Sequence, residues 1–379
     1  MSRREGARLP AGCAACPRRY NLRVLHEARY WEPAADGKVL CTLCPRECRI
    51  GDGQDGFCFI RRNRGGRLVT AGWGTTTGFA VDPVEKKPLN HFYPGSTVLS
   101  FGTAGCNLGC RFCQNWDISK AREDERLSEP AWTPERVVEL AVRTGAPGLA
   151  FTYNDPIIWA EYAIDVAKAA RARGLFTVFV TNGYVGKAAR EDIFPHIDAA
   201  NVDLKAFTEA FYAKTTLSHL EPVLDTLEWL AKETGVWVEV TNLVIPGLND
   251  AEDETRALAD WVAAHMGPDV PVHFTAFHPD YKMLDRPPTP PQTLSRAREI
   301  ARAAGLRHVY TGNVHDRDGQ TTLCPGCGAK VIERDWFAVR AVRMRAGACA
   351  ACGTRIAGRF AEGPVAPTAG RRIALGIPS

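Results

Sequence analysis

The thirteen cysteines of this 379-residue sequence are clustered rather than scattered. They form four groups, which are Cys13 and Cys16; Cys41, Cys44, Cys48 and Cys58; Cys106, Cys110 and Cys113; and Cys324, Cys327, Cys349 and Cys352. Gaps of two or three residues let one short loop present several thiolates to one metal centre. The spacing therefore favours metal or redox chemistry over a disulfide framework. Cys13 and Cys16 lack an evident second pair, and are either a loose redox or metal-binding pair or have no such role.

The central group follows the pattern Cys106-x3-Cys110-x2-Cys113, with Phe112 directly before the last cysteine. Three thiolates bind three irons of a [4Fe–4S] cube, and one iron keeps an open coordination position because no fourth cysteine is near in sequence. An open iron can bind a small molecule, so this loop is the candidate catalytic centre. Zinc fits less well, because its sites commonly have four closed ligands, or three and water with histidine or carboxylate among them.

The C-terminal group consists of two Cys-x2-Cys knuckles, Cys324 with Cys327 and Cys349 with Cys352. A stretch able to form strands separates them, and this pattern is typical of a tetrahedral ribbon site. Zinc is favoured over a rubredoxin-like single iron, although both use the same four thiolates. The expected role of this module is stabilisation or docking.

The N-terminal quartet, Cys41, Cys44, Cys48 and Cys58, also supplies four thiolates, and a Gly-rich loop precedes its last member. Four thiolates suit zinc, and they equally suit an auxiliary [4Fe–4S] cluster that relays electrons. The sequence leaves both interpretations open.

Repeated βα units must position these loops. Between residues 97 and 314, short β-branched or apolar runs alternate with longer amphipathic segments, which is the pattern of a parallel sheet. Strands are predicted near residues 98–103, 148–153, 176–182, 200–205, 236–245, 272–278 and 308–312. Helices are predicted near residues 133–143, 157–173, 187–194, 219–233, 251–265 and 291–304. About six units indicate an α/β fold with a partial (β/α)6 TIM-like barrel, since a full eightfold barrel needs more chain.

The chain divides into four predicted regions. A Cys-rich N-terminal module with connecting loops (1–97) precedes the core barrel (98–315), and a zinc-ribbon-like or rubredoxin-like module (316–360) leads into a mobile tail (361–379). The basic run at residues 61–64 is expected to be solvated surface. In the barrel, the central loop directly follows the first predicted strand, and loops after strands form the functional mouth of such a fold.

Polar side chains alternate with apolar ones in three predicted strands. Because the apolar residues must face the helices, the polar sets face the barrel lumen. These sets are Asn201, Asp203 and Lys205; Glu239 and Thr241; and His273 and Thr275. A polar lumen is costly for stability alone and is what a substrate cavity requires, although Asp203 and Lys205 could also simply pair with each other.

The overall composition is that of an ordinary globular protein, with 45% hydrophobic and 24% charged residues and a formal net charge of +4. This charge is too small to indicate nucleic acid or an anionic membrane as the main partner. No apolar run approaches the roughly 18 residues of a membrane span, and no apolar run follows the N-terminal arginines as in a secretory signal. We therefore expect a cytoplasmic protein.

Seven motifs together resemble one known family. They are residues 82–95 (DPVEKKPLNHFYPG), the Cys106 loop, and residues 152–156 (TYNDP), 181–184 (TNGY), 203–205 (DLK), 245–250 (IPGLND) and 277–281 (FHPDY). The sequence resembles the AmmeMemoRadiSam system enzymes of the radical S-adenosylmethionine (SAM) superfamily, which are relatives of pyruvate formate-lyase activating enzymes. The resemblance extends from about Cys41 to Cys352.

The resemblance implies a chemistry and a set of partners. The open iron would chelate the amino and carboxylate groups of SAM, and one electron would split the sulfonium into methionine and a 5′-deoxyadenosyl radical that abstracts hydrogen from a substrate. An external one-electron donor, flavodoxin or ferredoxin, is implied, together with Memo-like and AMMECR-like partner proteins. The substrate itself is not indicated.

The resemblance also implies roles for individual residues. Tyr153, Asn154 and Asp155 lie where the superfamily contacts the methionine amino group, and Asp155 replaces the more usual Glu, which shortens its reach by one methylene. Asn182 is a candidate ribose contact. Asp203 and Lys205 correspond to an acidic and basic pair near the cofactor. From composition alone, the alternative interpretation of residues 154–156 and of Asn182 is a simple strand-ending turn.

Two other functions fit the same residues. One is activation of a glycyl-radical enzyme, in which the substrate is a protein backbone. The other is a non-catalytic iron–sulfur or zinc protein that transfers electrons or binds a partner. The second is disfavoured because a closed redox cluster is expected to have a fourth thiolate beside Cys113.

Overall fold

Nine strands form the largest sheet of the computed structural model, which describes residues 26–121, 132–362, 368 and 370–376. From one edge to the other, the strands are Val309–Gly312, Val272–Ala276, Trp237–Val244, Ala199–Asp203, Phe176–Thr181, Gly148–Phe151, Thr97–Phe101, Phe79–Pro83 and Ile373–Gly376. The first seven are mutually parallel, and the last two pair antiparallel. The predicted α/β fold with a large parallel sheet is confirmed and is consistent with a partial barrel.

The helices follow the strands as predicted. Their bounds are Trp116–Ser119, Pro134–Arg143, Ala160–Ala172, Lys187–Ile193, Glu209–Phe211, Glu221–Glu233, Glu252–His265, Pro291–Ala303 and Arg317–Gln320. Short 3₁₀ helices lie at Ala35–Gly37, Val84–Lys86, Pro156–Trp159 and Phe194–His196, and a π-helix lies at Tyr212–Thr216. The start at Pro134 has a simple cause, since the Thr133 hydroxyl accepts the Arg136 N–H and proline suits the first helical position.

Small sheets are formed by the segments that precede and follow the main sheet in the sequence. The N-terminal strands are His26–Glu27, Trp31–Pro33, Val39–Cys41, Arg49–Ile50, Arg61–Arg64 and Arg67–Thr70. The C-terminal strands are Thr322–Leu323, Lys330–Asp335, Ala338–Val342, Met344–Arg345 and Ala348–Cys349. Apolar residues of the N-terminal module and of the barrel helices share one continuous core, whereas the C-terminal module has a small core of its own.

Two predicted features differ from the structure. Phe79–Pro83 pairs with Thr97–Phe101, so the main sheet begins before the boundary expected at residue 98. Ile373–Gly376 pairs with Phe79–Pro83 as an edge strand, so the prediction of a mobile tail is wrong for these four residues. A short apolar segment satisfies its backbone groups on that free edge, and the Pro/Gly/Ala-rich composition before it masked the strand.

The basic run at residues 61–64 is not solvated surface, which corrects the expectation from sequence. Arg61 is 1% exposed. Its guanidinium donates to both carboxylate oxygens of Glu161 at 3.0 Å, in the helix Ala160–Ala172. This buried, bidentate pair attaches the N-terminal module to the barrel.

No helix in the described ranges is long and apolar enough to cross a membrane. Cys13 and Cys16 lie outside the described residues.

Candidate active site

A cavity of about 440 Å³ opens at the carboxyl end of the parallel strands. Cys106, Cys110 and Cys113 all line it, in the loop that follows Thr97–Phe101. Further predicted site residues in its wall are Tyr153, Asn154, Asp155, Asn182, Asp203, Lys205, Thr241, His273 and Thr275. The strand ends therefore bring together residues that are up to about 170 positions apart in the sequence.

Hydrogen bonds from neighbouring strand ends hold the cysteine loop. The Asn154 side chain accepts the Thr103 N–H at 3.3 Å and donates to the Gly105 carbonyl at 2.9 Å. Asn107 donates to the Tyr184 carbonyl at 2.9 Å and accepts from Asn182 at 2.8 Å. Both asparagines bind the chain itself, so they fix the loop in the position that presents its thiols.

The thiols of the loop lie in a setting that favours metal binding. Burial raises the pKa of Cys106 to about 11 and that of Cys110 to about 12. A buried thiolate needs a compensating positive charge, which a metal centre provides. The positive charge of Lys205 also favours the thiolate, since it lowers the pKa of Cys110 against the effect of burial.

The three thiols are not as close together as those of the C-terminal quartet. Among the described residues, that quartet is the only group of three or more Cys, His or acidic residues whose ligand atoms all lie within 4.8 Å of one another. Ligands of one tetrahedral zinc lie about 3.8 Å apart, given Zn–S bonds of about 2.3 Å. Cys106, Cys110 and Cys113 line one cavity without meeting that limit, so their arrangement is not that of a preformed zinc site.

Asp203 and Lys205 form an ion pair in the cavity wall. Lys205 Nζ donates to Asp203 Oδ2 at 2.6 Å, and the Lys205 N–H donates to the Tyr212 hydroxyl at 3.0 Å. Burial alone would lower the pKa of Lys205, but the Asp203 carboxylate outweighs it and the net shift is upward. Lys205 is thus a fixed cation beside the Cys110 thiol. The two residues do pair, and they face the cavity as well.

Asp155 already has partners within the chain. Its carboxylate accepts hydrogen bonds from Ile157 N at 3.0 Å, Thr181 Oγ1 at 3.1 Å and Asn182 N at 2.7 Å. Burial raises its pKa to about 6. Tyr153 has a left-handed backbone, with φ of 73°, and donates its hydroxyl to Asp82 at 3.1 Å. These contacts agree with the turn interpretation. Because the Asp155 carboxylate already accepts several hydrogen bonds, fewer of its lone pairs are free to contact a ligand.

Several cavity residues escaped the sequence analysis. The Ser119 hydroxyl lies 3.1 Å from Cys113 Sγ. Glu85 and Lys87 lie in the motif at residues 82–95, which carried a resemblance but no assigned role. The C-terminal module and tail add Arg334, Trp336, Phe337 and Arg372. No sequence signal pointed to these four, because a ribbon with two knuckles looks self-contained.

The C-terminal quartet forms a compact four-sulfur site. Cys324 Sγ lies 3.6 Å from Cys352 Sγ, and Cys327 Sγ lies 3.8 Å from Cys349 Sγ. These separations match four thiolates around one tetrahedral ion. The N-terminal quartet lies in the other module, where Cys41, Cys44 and Cys58 are buried and Cys48 is half-buried.

Known proteins share this loop and its flanking strands. The family model described as the Radical SAM superfamily matches residues 101–259, which include the Cys106 loop, Asp203 and Lys205. An uncharacterized protein of Methanocaldococcus jannaschii is 43% identical over 334 residues, covering 88% of this chain and 99% of that protein. The chain belongs to the radical SAM superfamily. It is an enzyme, and its family implies a [4Fe–4S] cluster and SAM as cofactors.

Two further comparisons describe the relatives of this radical SAM enzyme. The pyruvate formate-lyase-activating enzyme of Clostridium pasteurianum is 26% identical over 173 residues, covering 43% of this chain and 68% of that one. A radical SAM methyltransferase structure from Sphaerobacter thermophilus is 18% identical with a TM-score of 0.47, covering 59% of this chain and 68% of that one. The sequence relation to activating enzymes agrees with the resemblance seen in the motifs.

Proposed function

We propose that Cys106, Cys110 and Cys113 hold the [4Fe–4S] cluster, and that a hydrogen-donating substrate binds in the cavity beside them. The location of all three thiols in the lining of one cavity, together with Asp203 and Lys205, carries this proposal. When bound, the cluster and SAM supply a 5′-deoxyadenosyl radical that abstracts a hydrogen atom. The chain contributes orientation, charge and exclusion of water.

The residues of the cavity wall have distinct tasks in this proposal. Lys205 places a positive charge beside Cys110 and offers a partner for the carboxylate of SAM, while Asp203 fixes the direction of its ammonium group. Tyr153, Asn154 and Asp155 form the side of the cavity that faces the methionine moiety, and Asn182 the side that faces the ribose. Asn154 and Asp155 also act as positioning residues, because their hydrogen bonds hold the loop and the strand ends.

Finer assignments rest on the resemblance and on the C-terminal geometry. We assign the enzyme to the AmmeMemoRadiSam group, with Memo-like and AMMECR-like partners, flavodoxin or ferredoxin as the one-electron donor, and the cytoplasm as its location. The motifs from Cys41 to Cys352 support this assignment. Zinc is proposed for the C-terminal quartet, and its support is the set of sulfur separations of 3.6 and 3.8 Å.

A second candidate function is activation of a glycyl-radical enzyme. The relation to activating enzymes favours it, including the pyruvate formate-lyase 1-activating enzyme of Escherichia coli K12, which is 22% identical over 236 residues and is covered over 93% of its length. Under this alternative, a glycyl-radical signal forms on a co-expressed partner protein. Formation of 5′-deoxyadenosine without such a signal favours the first candidate.

The test of the proposal is SAM cleavage by anaerobically reconstituted enzyme. With dithionite, the unaltered chain should produce 5′-deoxyadenosine and methionine, and Cys106→Ala should produce neither. Ser295→Ala, on an exposed helix face, serves as a control and should cleave as the unaltered chain does. Equal 5′-deoxyadenosine from Cys106→Ala would overturn the proposal.

A further inference from the structure

The N-terminal module brings four thiols together next to the catalytic loop. Cys41 ends the strand Val39–Cys41, and Cys44 and Cys48 lie in the connection between it and the strand Arg49–Ile50. The Cys41 N–H donates to the Cys48 carbonyl at 3.0 Å, which folds this segment back on itself. Cys58 arrives from a separate loop, and the Cys44 thiol lies within electrostatic reach of the other three.

The spacing of these thiols distinguishes them from the C-terminal quartet. Both quartets offer four thiolates, yet among the described residues only the C-terminal quartet places three or more sulfurs all within 4.8 Å of one another. A single zinc ion draws its four sulfurs to about 3.8 Å, whereas a cube bound at its corners keeps them farther apart. One chain thus contains two four-thiolate sites of different size, and the wider one suits a polynuclear cluster.

The surroundings of the quartet are those of a buried anionic centre. The backbone amide groups of Arg46 and Ile60 lie near the thiols of Cys44 and Cys58, respectively. The buried Arg61 guanidinium, held by Glu161, adds a positive charge close to Cys41 and Cys58. N–H donors and a nearby cation stabilise thiolate-bound clusters and adjust their reduction potentials.

The quartet touches the catalytic loop directly. A Cβ atom built on Gly105 would lie 2.0 Å from the carbonyl oxygen of Cys58, so these two backbones are in contact. Arg46, between Cys44 and Cys48 in the sequence, donates from Nε to the Asn107 carbonyl at 2.5 Å. A centre held by the quartet therefore lies beside the residues that flank Cys106.

We propose that Cys41, Cys44, Cys48 and Cys58 bind a second [4Fe–4S] cluster, closed by four thiolates, that passes electrons to the catalytic loop. It accepts one electron from the external one-electron donor and gives up one electron, and no atom is transferred. The relay role rests on the proposed function, but the existence of the second cluster does not depend on it.

Metal counts on the full chain test this inference. After anaerobic reconstitution, the unaltered chain should contain about eight iron and eight sulfide, from two four-iron clusters, and about one zinc. The triple variant Cys106→Ala/Cys110→Ala/Cys113→Ala should keep about four iron, with a paramagnetic signal after reduction that SAM does not change. The double variant Cys44→Ser/Cys58→Ser should also keep about four iron per chain, and SAM should change its paramagnetic signal after reduction.

The opposite result is equally clear. About four iron and two zinc in the unaltered chain, together with a triple variant that binds no iron, would overturn the second cluster. Should the double serine variant fail to fold, Cys48→Ser is the substitute, because Cys48 is only half-buried. Four iron in the triple variant, together with failure of the unaltered chain to cleave SAM, would leave the second cluster standing and remove the proposed function.

Discussion

At the scale of single residues, Lys205 links the ion pair in the cavity wall to the cysteine loop. Its ammonium group binds Asp203 at 2.6 Å and acts on the Cys110 thiol. The alternation of polar and apolar residues in 201–205 was enough to predict that both side chains face the lumen. The neighbouring cation and thiol could not be predicted, because Cys110 lies on another strand end.

Replacing Lys205 tests its role near the cofactor. Lys205→Met should lower the rate of 5′-deoxyadenosine formation roughly 10- to 100-fold, as expected for the loss of a hydrogen bond to a charged group. Lys205→Arg should restore part of the rate, and Lys168→Met, at an exposed helix position, should have no effect. Iron content should stay constant, and its parallel loss in Lys205→Met would instead assign Lys205 a structural role.

Asn154 and Asp155 mark the limit of what the sequence could predict about the site. The turn interpretation and the cofactor interpretation were both open from residue types alone. Their hydrogen bonds to Gly105 and Thr181 join positions 49 and 26 residues apart. Such bonds depend on which strands become neighbours in the sheet, and the spacing of residues in the sequence does not indicate which strands those are.

At the scale of elements, the Cys106 loop and the N-terminal module meet at Gly105. This residue has φ of +86°, and a Cβ would lie 2.0 Å from the Cys58 carbonyl. Gly145 also has a positive φ, of +68°, but has open space around it. The two glycines separate the effect of backbone conformation from that of a steric clash.

Alanine at each glycine should therefore have different consequences. Gly145→Ala should lower the free energy of unfolding by about 1–2 kcal/mol, the cost of a left-handed conformation, and keep its iron. Gly105→Ala should in addition displace the loop or the module and lose iron from the catalytic site. Equal iron contents in the two variants would contradict the contact described at Gly105.

A buried hydrogen-bond chain attaches the C-terminal module to the barrel. His91 Nδ1 donates to the Ala357 carbonyl at 2.6 Å, and His91 Nε2 accepts from the Tyr310 hydroxyl at 2.5 Å. Thr322 donates to Tyr310 at 2.8 Å, and Arg334 donates to Thr322 at 2.9 Å. Since a carbonyl only accepts, Nδ1 carries a proton; burial, which lowers the pKa of His91 to about 3, keeps the ring neutral and leaves Nε2 as the acceptor.

This neutral histidine predicts a loss of stability in acid. Burial lowers the pKa of His91 to about 3, with His308 and Arg334 acting in the same direction and Glu239 opposing them. The unfolded chain takes up the proton below about pH 6.5, so the free energy of unfolding falls as pH drops from about 6.5 to 3, by up to about 1.4 kcal/mol per pH unit. Denaturant titrations at several pH values should show a smaller slope for His91→Gln. An identical slope would contradict the assignment.

The elements themselves were largely predictable. Hydrophobic periodicity located the seven parallel strands and the six helices between them to within a few residues. The edge strand Ile373–Gly376 was missed because its partner, Phe79–Pro83, is almost 300 residues earlier. Local patterns specify an element that buries its own face, but not one that merely completes a distant edge.

At the scale of the whole molecule, three modules contribute to one cavity, although the C-terminal module keeps a small core of its own. The sequence predicted the modules from their cysteines, and the expected role of the C-terminal one was stabilisation or docking. Arg334, Trp336 and Phe337 instead complete the cavity wall, and Arg334 donates to the Asn90 carbonyl at 2.6 Å. The proposed substrate cavity therefore includes residues far from the radical SAM loop in sequence.

Loss of the C-terminal metal should weaken this assembly. Cys327→Ser and Cys349→Ser should each lose one zinc per chain and lower the unfolding temperature, because metal binding contributes to folding of small metal modules. Cys349→Ser should have the larger effect, since Cys349 is buried and Cys327 is exposed. Metal analysis and thermal unfolding measure both, and unchanged zinc in either variant would contradict a four-thiolate site.

The central claim is that the Cys106 loop holds a cluster with an iron open to SAM. Electron paramagnetic resonance of the dithionite-reduced chain, recorded with and without SAM, tests it most directly. The predicted result is a spectrum that changes on addition of SAM in the unaltered chain, and no such change in Cys113→Ala. The claim would be contradicted if SAM did not change the spectrum of the unaltered chain. It would also be contradicted if SAM changed the spectrum of Cys113→Ala in the same way.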